Sequence, residues 1–77
     1  MNAQLNDVVV HLNETLDEGT LKDLEQAIRQ QEGVISVGHT PGKSHLLAVV
    51  FNSAVTGAPD ILRRVQERGV HAQLVGM

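Results

Sequence analysis

Four histidines and one acidic segment hold most of the side chains in this sequence that could do chemistry. The acidic segment covers residues 13–20, and the histidines are His11, His39, His45 and His71. Imidazole titrates near neutral pH and is a common ligand of transition metals. Carboxylate and hydroxyl oxygens suit hard cations instead. The sequence therefore offers two kinds of candidate metal site, one built from imidazoles and one from oxygen ligands.

The 77 residues include no cysteine, and this absence removes several kinds of chemistry. A disulfide framework, a cysteine-ligated zinc site, an iron–sulfur cluster and a thiol nucleophile are all excluded. The sequence also contains no serine–histidine–aspartate order, phosphate-binding loop or dinucleotide-binding glycine motif. We therefore expect a protein that is not an enzyme and that holds no cofactor, with a divalent transition metal as the alternative.

The charge balance and the hydropathy pattern limit the partners. Six basic and nine acidic side chains give a net charge of −3 and a pI near 5.7, so nucleic acid is not an expected partner. No apolar run approaches the roughly 20 residues that cross a bilayer. The first residues lack the basic and apolar regions of a secretory signal. We expect a cytoplasmic protein that does not bind membranes.

Hydrophobic periodicity predicts four strands and two helices in a single domain, residues 1–77. Runs rich in β-branched residues predict strands at 8–12, 34–39, 44–52 and 70–75. Apolar residues at spacings of three and four predict helices at 15–32 and about 59–68. Either Thr15 or Asp17 could cap the first helix, and Gly33 ends it. A turn with Pro41 and Gly42 at its centre joins the second and third strands.

This β-α-β-β-α-β order predicts a particular α+β architecture. Right-handed crossovers in its two β-α-β halves give an antiparallel sheet with strand order 4-1-3-2 and both helices on one face. The sequence therefore predicts a ferredoxin-like sandwich.

Alternation along the strands divides their side chains between the helix-covered face and the open face of the sheet. The predicted helix-facing residues are Val8, Val10, Leu12, Ile35, Val37, Leu47, Val49, Phe51, Val70, Ala72 and Leu74. The opposite parity places on the open face Val9, His11, Leu46, Ala48, Val50, His71, Gln73 and Val75. Scattered exposed aliphatic residues are normal in small domains, but a contiguous apolar patch on an uncovered sheet is typical of an interface. We predict that Val9, His11, Leu46, Ala48 and Val50 contact another protein or a second copy in a homodimer.

The predicted topology brings the four histidines to one end of the sheet. His11 and His71 share the open face, whereas His39 and His45 have helix-side parity. Two pairs on opposite faces do not make one tetrahedral site. We therefore favour solvated residues at the sheet rim, with His11 and His71, or the acidic segment near Asp17, as the metal-binding alternatives.

Several segments resemble one known family. Residues 24–28 and 32–37, Leu-Glu-Gln-Ala-Ile and Glu-Gly-Val-Ile-Ser-Val, resemble the first helix and glycine-valine turn of heavy-metal-associated domains. These are small ferredoxin-like modules of copper chaperones and metal-transporting ATPases. Residues 47–52 resemble the family's third strand, and residues 61–72 resemble its second helix and the start of its last strand. The resemblance covers about residues 7–75.

The family's metal motif, G-M-x-C-x-x-C, lies between the first strand and the first helix. Counting back from Leu24 and Glu25 places Asp17 and Thr20 at the two cysteine positions. A carboxylate and a hydroxyl cannot replace soft thiolates as ligands of Cu(I). The resemblance therefore implies the family's fold without its copper site.

The sequence supports one functional prediction and keeps two alternatives. We predict a non-catalytic binding or protein-interaction module that uses the open sheet face. The first alternative is a metal-binding or metal-trafficking protein, for which imidazole suits nickel, zinc or cupric ion. The second is a ligand-sensing module resembling ACT domains, which bind amino acids near the first strand-to-helix loop, here residues 14–19. An isomerase or monooxygenase would need a cleft that holds His11 or Glu14 against another titrating group, and the sequence shows none.

Overall fold

The six predicted elements are all present in the computed structural model, which describes residues 4–39 and 42–75. The strands are β1 (Leu5–Leu12), β2 (Val34–His39), β3 (Leu46–Asn52) and β4 (Ala72–Val75), and the helices are α1 (Glu18–Arg29) and α2 (Ala58–Glu67). The sheet order is β2-β3-β1-β4 and all its pairs are antiparallel. This is the predicted order seen from the other edge. The ferredoxin-like α+β fold is therefore confirmed.

Helix α1 is shorter than predicted at both ends, whereas α2 has the predicted length and lies one residue earlier in the chain. Asp17, not Thr15, is the N-cap of α1, so the helix begins at Glu18. Helix α2 begins at Ala58, with Pro59 in the first turn, where a missing backbone N–H removes no helical hydrogen bond. Ile61 and Val65 are buried, whereas Leu62 is only half-buried.

One aliphatic core lies between the helices and one face of the sheet. Its residues come from every element except β4, which contributes partly buried side chains. The two central strands supply six of its thirteen buried residues, because alternate residues of β1 and β3 point toward the helices. The cluster consists of Val8, Val10, Leu12, Leu21, Leu24, Ile28, Val37, Leu47, Val49, Phe51, Ile61, Val65 and Val70.

A β-bulge in β2 changes the face on which Ile35 lies. Val34 pairs with Phe51 and Ser36 pairs with Val50, so the pairing passes over Ile35. An extra residue in one strand reverses the alternation on one side of it. Val34 therefore packs against the core, while Ile35 is 53% exposed. The prediction that Ile35 faces the helices was wrong.

Strand boundaries also differ from the predictions, and one difference adds a charge to the open face. β1 begins at Leu5 rather than Val8, because residues 5–7 also pair with β3. This extension pairs Asp7 with Val50. β3 and β4 each begin two residues later than predicted. In the predicted turn, Thr40 and Pro41 lie outside the described residues, and Gly42 has a φ of +82°.

Gly33 is a position where only glycine fits the turn before β2. Its φ is +96°, which L side chains rarely adopt. A Cβ atom there would also lie 2.9 Å from side-chain atoms of Val55 and Thr56. Gly33 therefore lets the chain leave α1 and pass close to the segment that follows β3.

Candidate functional site

The two residues aligned with the family's cysteines lie against each other at the start of α1. Asp17 has an extended backbone at the N-cap, and Thr20 lies in the first helical turn. The Thr20 hydroxyl donates a hydrogen bond of 2.5 Å to Oδ1 of Asp17. This hydrogen bond holds the pKa of Asp17 below its ordinary value. The two side chains therefore lie close together, but they are hydrogen-bonded to each other.

These residues do not fit the copper ion that the resemblance implies as cargo. Cu(I) prefers soft sulfur ligands, and this pair offers one carboxylate and one hydroxyl. The hydroxyl proton is directed at the carboxylate, so the pair satisfies its own hydrogen bond. Asp17 and Thr20 thus stabilise the start of the helix, and no copper transfer follows from them.

Glu14, in the same loop, joins the loop to the residue that precedes β4. Its Oε1 accepts a hydrogen bond from the backbone N–H of His71 at 3.1 Å, and its Oε2 lies 3.2 Å from Nδ1 of the His71 ring. The backbone N–H is the main reason that the pKa of Glu14 lies below its ordinary value. His71 is thus held by a carboxylate, while its ring stays largely exposed.

His11 lies beside His45. The two ring centroids are 5.5 Å apart and the rings meet edge to face. Nδ1 of His11 is also 3.3 Å from Oδ1 of Asn13. The structure therefore pairs His11 with His45, whereas the sequence had grouped it with His71.

The position of His45 corrects its predicted parity. The prediction extended β3 back to residue 44 and placed His45 on the helix side. β3 begins at Leu46, so strand alternation does not apply to the residue before it. His45 instead lies in a turn, and its ring contacts His11, an open-face residue of β1.

His39 has the helix-side position expected of it. Its Nδ1 lies 2.6 Å from Oε2 of Glu25 and links the end of β2 to α1. The four histidines are therefore divided among three places: one imidazole pair and two separate carboxylate contacts. Within residues 4–39 and 42–75, no three His, Asp or Glu side chains form a group that could hold a metal ion.

The open face of the sheet carries the predicted interface residues. Val9 is paired with Ala48, and His11 is paired with Leu46, on the two central strands. An open groove of about 510 Å³ passes over this area, and its lining comprises Val9, Gly38, His39, Lys43, Leu46 and Ala48. Val50 continues the apolar surface toward Asp7.

Sequence reasoning did not find three of these features. The His11–His45 contact and the Glu14–His71 contact both involve residues outside regular strands, where alternation gives no direction. Asp7 lies outside the predicted first strand, residues 8–12, because Asn6 and Asp7 are poor strand formers. The pairing of residues 5–7 with β3 overrides that preference.

In the described part of the chain, no helix has the length and apolar character needed to cross a membrane.

Comparisons with known proteins agree on the fold. A scan against descriptions of protein families and a search of curated proteins each found no match. Among solved structures, oxidized MerP from Ralstonia metallidurans CH34 is similar at a TM-score of 0.83 and 18% identity, covering 94% of this chain and 99% of that one. The copper-binding domain of HMA7, a P-type ATPase, gives a TM-score of 0.82 and 17% identity, covering 91% of this chain and 93% of that one.

A third similar structure is a copper form of CopA from Bacillus subtilis, with a TM-score of 0.79, 16% identity and full coverage of both chains. Identities this low carry information about the fold alone. The three solved structures match the fold of this protein over nearly the whole chain. The sequence, however, contains no cysteine. The protein therefore has the ferredoxin-like fold of heavy-metal-associated domains and lacks their cysteine pair.

Proposed function

We propose that this protein is a non-catalytic interaction module that binds a protein surface through its open sheet face. The observation that carries the proposal is the aliphatic surface of the two central strands. Its residues are Val9, Leu46, Ala48 and Val50. Both helices cover the other face, so this surface contacts water in the isolated chain. Contiguous apolar area on an uncovered face is typical of protein interaction sites.

The loop residues support a binding role rather than catalysis. Glu14 and Asp17 are the carboxylates that an enzyme or a ligand sensor would use in the β1–α1 segment. Glu14 is bound to His71, and Asp17 is bound to Thr20. Ion pairs and hydrogen bonds within a structure also shift pKa values, so the lowered pKa of each carboxyl needs no substrate to explain it.

The charges around the aliphatic surface favour a second copy as the partner. Asp7 lies at one end of the surface, beside Val50, and Lys43 lies at the other end, near Leu46. Two copies packed face to face about a two-fold axis perpendicular to their strands would bring Asp7 of one copy toward the partner's Lys43. The surface is then complementary to itself in both charge and hydrophobicity.

Sedimentation velocity over a range of concentrations tests this proposal. We expect the wild-type protein to form a dimer, and Ala48→Lys to remain monomeric because it would bury an unpaired charge. Gln26→Lys is the matched control, since it adds the same charge on the exposed side of α1. It should dimerise like the wild type. Exchange of the two end charges, Asp7→Lys with Lys43→Asp, should restore a dimer that Asp7→Lys alone weakens.

Two results would contradict the proposal. A wild-type protein that stays monomeric up to roughly 1 mM does not use a second copy as its partner. Equal dimerisation of Ala48→Lys and Gln26→Lys would place the contact elsewhere on the molecule.

A second candidate function is metal handling, and the fold favours it. Two of the three solved structures described above are named as copper proteins. The donors of this chain are imidazole and carboxylate groups, which suit divalent ions rather than Cu(I). A metal-handling role would therefore require a site different from the loop that holds Asp17.

A further inference from the structure

We propose that His11 and His45 together bind one divalent transition-metal ion. Their ring centroids are 5.5 Å apart. Two imidazoles on one tetrahedral ion, with metal–nitrogen bonds of about 2.0–2.1 Å, have ring centroids about 5 Å apart. The rings are thus already close to the required separation, and they need mainly to rotate so that one nitrogen of each faces the ion.

The backbone holds both residues in place before any ion binds. His11 is paired with Leu46 in the β1–β3 ladder. The next residue, Leu12, donates its backbone N–H to the carbonyl oxygen of His45 at 2.8 Å. Both imidazoles therefore extend from backbone that is hydrogen-bonded between the two central strands. Ion binding would order side chains only, which keeps its entropic cost low.

Asn13 prepares His11 for coordination. Its Oδ1 lies 3.3 Å from Nδ1 of His11, and an amide oxygen can only accept a hydrogen bond. In the tautomer with its proton on Nδ1, His11 donates this hydrogen bond and keeps the lone pair of Nε2 for a metal. Metal-binding histidines commonly donate their other ring N–H to a carbonyl or carboxylate oxygen, which fixes the tautomer and orients the ring.

Accessibility and donor chemistry indicate the class of ion. His45 is exposed and His11 is half-buried, so an ion reaches the pair from solvent and water completes its coordination. Two neutral imidazoles suit Zn²⁺, Ni²⁺ or Cu²⁺ rather than Ca²⁺, Mg²⁺ or Cu(I). His39 and His71 differ, because each contacts a carboxylate and not a second imidazole. This inference rests on the second candidate function and concerns the monomer, because His11 is also one of the predicted interface residues on the open face.

Zn²⁺ titration followed by NMR of the histidine rings tests the inference, at protein concentrations below the onset of any dimerisation. We expect the His11 and His45 signals to shift along one saturable curve with one equivalent of zinc. The His39 and His71 signals should not follow that curve. Calorimetry with Ni²⁺ and Cu²⁺ should give the same stoichiometry.

Matched variants identify the ligands. His45→Gln should weaken zinc binding by about tenfold or more, because one of two protein ligands is lost. His71→Gln, which changes another exposed histidine, should bind zinc as the wild type does. Absence of a saturable shift at His11 and His45, or unchanged affinity in His45→Gln, would overturn the inference. Zinc that shifts His71 alone would also overturn it while leaving the metal-handling function standing. A monomeric wild type would contradict only the open-face proposal.

Discussion

At the scale of single residues, the polar groups of the β1–α1 segment are used within the chain itself. Asp17 receives the hydroxyl of Thr20, and Glu14 receives the backbone N–H of His71. Each contact stabilises the charged form of a carboxyl group and lowers its pKa. In many proteins such a shift marks an active site, but hydrogen bonds that only organise a loop produce the same shift. The shift at Asp17 therefore reports a structural role.

This role leads to a prediction for Thr20→Val, which removes the hydroxyl at nearly constant volume. The pKa of Asp17 should rise toward its ordinary value, because the main interaction that lowers it is lost. A lowered pKa in the folded state stabilises the fold at pH values above the pKa of the unfolded chain. That stabilisation is lost as the pH falls through the folded-state pKa. The variant should thus be less stable than wild type at pH 7, with the difference disappearing in acid.

Carboxyl-carbon NMR gives the pKa of Asp17, and urea unfolding at several pH values gives the stability difference. Thr15→Val is the control, since it makes the same change outside this hydrogen bond. A Thr20→Val protein with an unaltered Asp17 pKa would show that the hydroxyl is not the cause.

At the scale of elements, the β-bulge decides which side chains β2 contributes to the core. Val34 pairs with Phe51, and Val37 pairs with Val49, so both lie on the helix-covered side. Ile35 is the extra residue between Val34 and Ser36, and it lies in solvent. The bulge allows β2 to follow the Gly33 turn and still place Val37 in the core.

Two isoleucines test this register. Ile35→Ala should change the free energy of unfolding by no more than about 0.5 kcal/mol, because its side chain is mostly exposed. Ile61→Ala removes the same atoms from a fully buried position and should cost about 2–5 kcal/mol. Urea denaturation measures both. Comparable losses in the two variants would mean that β2 pairs without the bulge and that Ile35 faces the helices.

The same elements show how far the sequence predicts the structure. β1 and β3 follow simple alternation, so Val9, Ala48 and Val50 could be assigned to the open face. Ile35 could not be placed, because a bulge is determined by the pairing of β2 with β3 and not by local sequence. The ring of His45 could not be placed either, because it lies in a turn just before β3. The His11–His45 contact depends on the conformation of that turn, so it cannot be predicted from the sequence.

At the scale of the whole molecule, the fold has two layers and leaves one face of its sheet uncovered. The aliphatic surface around Ala48 lies on that face, and the pair Asp17–Thr20 lies at the start of α1. A fold shared at 16–18% identity can keep its backbone while the side chains at one loop change completely. If this loop keeps the backbone of a metal-binding loop, two cysteines at positions 17 and 20 should bind Cu(I).

The double variant Asp17→Cys with Thr20→Cys should therefore bind Cu(I), whereas the wild-type protein should not. The side chains at these two positions already approach to 2.5 Å between Oγ1 and Oδ1. Positions 17 and 20 therefore face each other, so two thiolates there should share one ion, and soft thiolates favour Cu(I). The N-terminus of α1 would also lower the pKa of the introduced thiols.

Anaerobic competition with a coloured Cu(I) chelator measures the affinity, and circular dichroism checks that the double variant folds. The single variant Asp17→Cys is the control, because it supplies one thiolate in the same loop. It should bind Cu(I) at least about tenfold more weakly than the double variant, since only the pair can chelate the ion. Equal binding by the single and double variants would mean that positions 17 and 20 do not act together. In that case the loop differs from a metal-binding loop in its backbone as well as in its side chains.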